Sequence, residues 1–149
     1  MRLLVGGGLS APEGGFTDLA EPGYHAQAGL ELAIPVLPVA LRGDGTFHRM
    51  AAKSPALARN EILGGTLSLV YRLPGVGLGP YFLGGIGSYR LKSGPVDATE
   101  TATHNGYHGG FGVTIGGPGL EGFAEIRWVR IDGGAATTTL IPLTIGLRL

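Results

Sequence analysis

The chain has 149 residues, with 11 basic and 11 acidic side chains, and therefore no formal net charge at pH 7. This neutrality argues against a nucleic-acid-binding protein, which needs a basic surface, and the 44% of apolar residues argue against disorder. Glycine occupies 29 positions, which excludes an ordinary helical bundle because each glycine inside a helix costs about 1 kcal/mol relative to alanine. The absence of cysteine excludes disulfides and thiolate chemistry.

The length suits a single domain covering residues 1–149, in which neither a signal peptide nor a membrane-spanning helix is visible. Leu3–Val5 is followed directly by three glycines, so the apolar run is too short for a signal peptide, and we expect mature numbering if the protein is exported. No stretch approaches the roughly 18 apolar residues of a spanning helix. The best candidate, Leu32–Leu41, is interrupted by Pro35 and Pro38.

Apolar and polar residues alternate with a period of two, as in β-strands, and the first half of the chain contains four such segments. The predicted strands are Leu3–Ser10, Tyr24–Ile34, Val39–Met50 and Ala58–Leu73. A loop rich in glycine, proline and acidic residues follows the first, a tight turn with two prolines follows the second, and a short polar loop follows the third. These connections cover residues 11–23, 35–38 and 53–57.

The second half of the chain contains four more segments of the same kind. The predicted strands are Pro80–Lys92, Asn105–Gly116, Glu121–Asp132 and Thr139–Leu149. Tight turns at 74–79 and 117–119 alternate with longer polar loops at 93–104 and 133–138. An even number of strands joined by alternating short and long connections predicts an all-β fold, an eight-stranded antiparallel up-and-down barrel. Both termini are expected at the end that holds the three tight turns.

The two faces of these strands differ in size as well as in polarity, since one is bulky and apolar and the other is rich in glycine. The interior of an eight-stranded barrel is only just wide enough for side chains, so we expect the glycine-rich face inside and the apolar face against lipid. Tyr24–Ile34 would rise roughly 27 Å when tilted, which matches the apolar band of outer-membrane barrels. The pattern favours a transmembrane barrel, and a soluble lipocalin-like barrel that binds an apolar ligand is the alternative.

Charged side chains on the inward face predict a network of salt bridges that fills the lumen, because buried charges must be paired. Strand pairing continued from the turn at 35–38 sets Glu31 opposite Arg42 and His25 opposite His48. A narrow ion path or a proton relay is the second interpretation of these residues. The predicted lumen network comprises Glu31, Arg42, Asp44, Arg72, Glu125, Arg127 and Arg148. The aromatics predicted at the membrane interfaces are Tyr24, Tyr71, Tyr81, Tyr89, Tyr107 and Trp128.

No catalytic, metal or cofactor site is predicted. His104 and His108 lie about 13 Å apart along a strand, too far to share one metal ion. Ser10, Ser68 and Ser88 have no evident histidine base nearby, which argues against hydrolysis. The glycines of 75–79 precede a strand rather than a helix, so they do not form a phosphate-binding loop. An outer-membrane enzyme that modifies lipids is the catalytic alternative.

Three segments carry a resemblance to a known family: Pro80–Gly87, Phe123–Trp128 and the closing Ile141–Leu149. They resemble small bacterial outer-membrane β-barrel proteins of the opacity and surface-antigen type, and the likeness extends over nearly the whole chain. Leu149 stands where such proteins usually end on an aromatic residue. The resemblance implies a monomer in the bacterial outer membrane, with a structural, cell-surface or minor porin-like transport role. It implies the lipid bilayer, outer-membrane lipids and the barrel insertion machinery as partners, and no nucleic acid.

Overall fold

Eight antiparallel strands close into a barrel, because the first strand pairs with the last as well as with the second. The structure, a computed structural model, describes residues 1–14, 21–50, 59–74, 78–94, 100–117, 119–133 and 137–149. The strands are β1 (Arg2–Glu13), β2 (Gly23–Ala33), β3 (Val39–Met50), β4 (Arg59–Arg72), β5 (Leu78–Gly94), β6 (Glu100–Gly117), β7 (Leu120–Asp132) and β8 (Thr137–Arg148). The predicted eight-stranded antiparallel barrel is confirmed. The polar loop predicted at 53–57 lies outside the described residues.

The two ends of the barrel differ in the connections that they hold. The turn end holds the connections from β2 to β3, β4 to β5 and β6 to β7, and the loop end holds the other connections. Both termini lie at the turn end, as predicted, since β1 begins there and β8 ends there. The backbones of Leu3 and Leu149 exchange two hydrogen bonds of 2.9 Å at this end. In the described residues no helix is long and apolar enough to cross a membrane.

The connection from β2 to β3 sets the register of the lumen residues that follow it. The amide of Ile34 donates to the carbonyl of Val39 over 3.0 Å, which closes a tight turn. Val36, at the tip of this turn, has φ of +74°, an unusual value for a β-branched residue. The predicted pairing is confirmed, with Glu31 opposite Arg42 and His25 opposite His48.

Most of the large apolar side chains point outward, whereas the inside of the barrel holds polar side chains in its middle and apolar side chains toward the loop end. On β4, Ser68 is 1% exposed, whereas its neighbours Leu67 and Leu69 are 50% and 57% exposed. Because successive residues of a strand face opposite sides, buried and exposed side chains alternate along the strand. A soluble lipocalin-like barrel requires the apolar face inside, so the structure contradicts that alternative.

Strand β5 corrects part of the predicted face assignment. Tyr81 and Tyr89 are buried inside the barrel, at 1% and 2% exposure, so their placement among the interface aromatics is wrong. Phe82 and Ile86 occupy the outward face instead. The physical reason is space and pairing. The Tyr81 ring lies against Gly112, and its hydroxyl donates to Glu125 over 2.8 Å.

Glycines make the same kind of room for Tyr89. A Cβ atom at Gly64 would come within 2.7 Å of the Tyr89 ring, and one at Gly87 within 2.9 Å. Such distances are too short for any larger residue, so the inward glycines of β4 and β5 form a slot for this tyrosine. The sequence predicts bulky side chains and glycines on opposite faces of the strands. At Tyr89 they lie together inside the lumen.

Candidate functional site in the barrel lumen

Two arginines and two carboxylates form a closed ring across the middle of the lumen. Arg42 donates to Asp44 over 2.9 Å and to Glu125 over 2.8 Å. Arg127 donates to Asp44 over 2.8 Å and to Glu125 over 2.5 Å. Each guanidinium thus joins both carboxylates, and all four side chains are buried. The ring has no net charge and connects β3 with β7 across the barrel.

A second ionic cluster lies between the ring and the turn end. Arg72 donates twice to Glu31, over 2.7 and 2.8 Å, and Arg148 lies 3.3 Å from the same carboxylate. Arg148 also contacts Glu121 over 2.9 Å, and Arg2 contacts Glu121 over 2.7 Å. Arg2 and Glu121, which lie near strand ends, are not among the predicted lumen residues. Although Glu31 is opposite Arg42 in register, its ion-pair partners are therefore on β4 and β8.

Toward the loop end, a serine lies between two histidines. Ser10 Oγ is 3.0 Å from His25 Nδ1 and 2.8 Å from His48 Nδ1, and His25 Nε2 is 2.8 Å from Thr144 Oγ1. The two imidazole rings stack with their centroids 5.2 Å apart. A hydroxyl has one proton, so Ser10 donates to one imidazole and accepts from the other.

These contacts correct the prediction that the serines have no histidine nearby. Ser68 Oγ also lies 2.8 Å from His108 Nε2, across two strand pairs. Ser10 and Ser68 are 0% and 1% exposed, so neither hydroxyl is accessible to a substrate. Their position fits a structural role, in which each hydroxyl pairs with a buried imidazole nitrogen. Ser88, the third serine considered, is exposed on the outer face.

The lumen at the loop end is filled by apolar side chains. This apolar plug comprises Met50, Ile62, Tyr89, Val129, Ile131 and Leu140. Each of its members is at most 5% exposed. The plug lies on the loop side of the serine–histidine cluster, since Met50 follows His48 by two residues on β3. Going from the loop end to the turn end, the lumen therefore holds an apolar layer, a hydrogen-bonded layer and two ionic layers. A second buried apolar cluster accompanies the ionic layers on the turn side and comprises Ala40, Val70, Tyr81 and Leu83.

The other predicted interface aromatics lie outside the barrel. Tyr24 and Tyr71 are about half exposed at opposite ends, Tyr24 within 3.4 Å of Arg49 Nη1. The rings of Tyr107 and Trp128 pack with their centroids 5.8 Å apart. Trp128 Nε1 also donates to Glu13 over 3.0 Å. These side chains combine an apolar ring with a polar group, the combination found at membrane interfaces.

In the part of the chain that the structure describes, no three histidine, aspartate or glutamate side chains come together in a way that could hold a metal ion. His108 is occupied by Ser68, and the buried carboxylates are occupied by arginines. The arginines and carboxylates of the lumen balance each other's charges, and the serines and histidines form hydrogen bonds with each other. The arrangement joins strands on opposite sides of the barrel.

Comparisons with solved structures agree with this architecture. Neisserial surface protein A superposes with a TM-score of 0.80 at 14% identity, over 99% of this chain and 95% of that one. The fold is that of the small outer-membrane β-barrels. The N-terminal β-barrel domain of OprF from Pseudomonas aeruginosa has a TM-score of 0.59 at 15% identity, over 99% of this chain and 97% of that one.

A third structure with this fold is the attachment invasion locus protein of Yersinia pestis. It superposes with a TM-score of 0.57 at 16% identity, over 99% of this chain and 98% of that chain. No protein-family model matches the sequence, and no curated protein matches it. At identities this low the likeness concerns the fold, which here has a largely apolar exterior and charged side chains in the middle of its lumen.

Proposed function

We propose that this protein is a monomeric barrel of the bacterial outer membrane, with lipid around its apolar exterior and a lumen that carries no solute. Its role is structural or at the cell surface, exerted through the loop end. The bilayer, the lipids of the outer membrane and the barrel insertion machinery are its partners. No nucleic acid is a partner, because the chain has no net positive charge.

The closed ionic ring is the observation that carries this proposal. Arg42, Asp44, Glu125 and Arg127 are each at most 5% exposed, although they lie in the centre of a barrel whose ends face water. The ring satisfies its own charges, and the apolar plug covers it on the loop side. An ion entering the lumen would have to break these contacts, because an eight-stranded barrel has no wide channel around them. Breaking a buried ion pair costs several kcal/mol.

The cell-surface role draws support from the proteins that share the fold. Two of the three are described as a surface protein and as an attachment and invasion protein. Those descriptions concern those proteins, and we extend only the location and the surface role to this chain.

Conductance in planar lipid bilayers tests the closed lumen. We expect no steady current at neutral pH from purified, reconstituted protein, because the ring and the plug occupy the cross-section in two layers. Stable open-channel currents of porin size would contradict the proposal. A matched measurement on a wide porin, reconstituted in the same way, shows that insertion and recording work.

A lipid-modifying enzyme is the second candidate, favoured by the contacts of Ser10 with His25 and His48. The complete burial of Ser10 argues against it, since a nucleophile must reach its substrate. Phospholipase and deacylase assays in mixed micelles decide the matter. Activity that disappears in Ser10→Ala would establish the enzyme, and absence of turnover in the wild type leaves the non-catalytic role.

A further inference from the structure

The outer wall of the barrel has a groove of about 830 Å³ across β3, β4, β5 and β6. Its floor follows from the strand register, which places Gly45 beside Gly65, Gly65 beside Ser88, and Ser88 beside Asn105. All four face outward, and none of them has a large side chain. Leu67 and Ile86, half exposed or more, form the wall of the groove on the turn side.

Two cations stand at the loop side of this groove. Arg90 and Lys92 follow Ser88 by two and four residues on β5, so they share its outward face, and both are exposed. A smaller hollow of about 140 Å³ lies between them and Phe47, Glu61 and Leu63.

The charges of Arg90 and Lys92 are not balanced by this wall. Within the described residues, neither makes an ion pair. The one carboxylate of the hollow, Glu61, is opposite Lys92 in the register of β4 and β5, but its ion-pair contact is with Arg49, over 3.9 Å. The four charged side chains Arg49, Glu61, Arg90 and Lys92 therefore sum to two positive charges at the edge of the apolar exterior.

We propose that this wall binds one phosphorylated lipid with a net negative head group from the surrounding bilayer, with an acyl chain in the groove and the phosphate between Arg90 and Lys92. The inference rests on the outer-membrane location proposed above, because only then does the groove face acyl chains. An apolar groove that runs toward unbalanced cations complements a molecule with an anionic head and a hydrocarbon tail. A lipid whose head bears no net charge fits the groove but leaves the cations unbalanced.

The opposite wall provides a contrast. A hollow of about 420 Å³ over β6, β7 and β8 is lined by Ile115, Gly122, Phe123, Ala124, Ile145, Gly146 and Leu147. No charged residue lines it, so it matches an acyl chain without selecting a head group. Gly122 faces outward there, and a Cβ atom on it would approach nothing closer than 3.7 Å. This hollow therefore supplies a control position.

The test compares spin-labelled phosphatidylglycerol with phosphatidylcholine carrying the same labelled chain, in vesicles containing the reconstituted barrel. The fraction of each lipid immobilised by the protein gives its relative association constant. The wild type should prefer the anionic lipid, and Arg90→Gln with Lys92→Gln should reduce that preference by about fivefold for each cation removed. Arg130→Gln is the charge control, since Arg130 on the outer face of β7 is partly exposed and paired with Asp132, and it should leave the preference nearly unchanged.

A second variant tests the groove itself. A side chain at Gly65 would meet nothing within 4 Å, so Gly65→Leu fills the groove without a clash. It should release the immobilised anionic lipid, whereas Gly122→Leu should not. Folding of each variant is checked by its shift on a denaturing gel before and after boiling.

Three outcomes would overturn the inference. Equal losses in the Arg90/Lys92 and Arg130 variants would mean general charge attraction, and retention of the lipid in Gly65→Leu would mean that the groove is not the site. A dimer in vesicles that Gly65→Leu dissociates would make the groove a contact between two copies. Failure of the wild type to insert into vesicles at all would instead contradict the proposed location.

Discussion

Arginine suits the lumen ring because its planar guanidinium can donate to two carboxylates at once. Arg42 uses Nε and Nη1 for this purpose, and Arg127 uses Nε and Nη2. Lysine would offer a single ammonium group in place of this fork. The ring thus depends on geometry as well as on charge, and each member holds two others in place.

Removing one arginine of the ring should be costly. Arg127→Leu leaves Asp44 and Glu125 with Arg42 alone, so one buried negative charge loses its balance. We expect the free energy of unfolding to fall by about 3–5 kcal/mol, as measured by urea titration in lipid vesicles. Arg130→Leu, which breaks an exposed contact to Asp132, should cost less than about 1 kcal/mol. Similar losses of unfolding free energy in the two variants would show that the buried carboxylates do not depend on Arg127 for charge balance.

The serine between the two imidazoles should matter for stability. Ser10→Ala removes the partner of Nδ1 in both His25 and His48, and the position is 0% exposed to bulk solvent. The expected loss is about 1–3 kcal/mol in the same titration. Ser88→Ala, on the exposed face, should stay within about 0.5 kcal/mol of the wild type. A neutral Ser10→Ala would mean that the imidazoles find other partners.

At the scale of one element, the turn from β2 to β3 contains an unfavourable residue. Val36 has a positive φ, which places its Cβ close to the following carbonyl, and its side chain is fully exposed and gains nothing by packing. Val36→Gly should raise the free energy of unfolding by about 0.5–1 kcal/mol, after allowing for the greater freedom of glycine in the unfolded chain. Val36→Ala keeps the Cβ and should bring no comparable gain. A loss in Val36→Gly would contradict this reading of the turn.

Short-range pattern was enough to predict the strands and one register. The prolines of the turn at 35–38 and the alternation on either side of it determine which residues of β2 and β3 are opposite, so Glu31 and Arg42 are correctly aligned. The same reasoning could not find the partners of those charges. Glu31 is paired with Arg72 and Arg148, which reach it across the lumen from β4 and β8.

The error in β5 has the same origin. Aromatic residues occur on both of its faces, so bulk alone does not indicate which face meets lipid. Tyr81 points inward because Glu125 accepts a hydrogen bond from its hydroxyl and Gly112 leaves space for its ring, and both partners belong to other strands. The contact of Ser10 with His48, 38 residues apart, was missed for this reason as well. A glycine that pairs with an aromatic residue of the neighbouring strand is the signal that could have indicated such a slot, as Gly112 does with Tyr81.

At the scale of the whole molecule, closure and layering act together. Pairing of β1 with β8 satisfies the backbone of both strands, which a lipid environment requires because it offers no hydrogen bonds. The apolar plug, the serine–histidine cluster and the ionic layers lie inside the barrel, and the proposal that the lumen carries no solute rests on them. The apolar exterior is the surface that we propose meets lipid.

The direction of the two faces is the central claim, and the absence of cysteine makes it directly measurable with single-cysteine variants. A nitroxide attached at Leu69→Cys should collide readily with oxygen and rarely with an aqueous nickel complex, because position 69 faces lipid. Ser68→Cys should resist an aqueous maleimide until the barrel is unfolded. If the label at 69 collides freely with the nickel complex while the protein stays monodisperse without detergent, the exterior does not meet a bilayer and the account is contradicted.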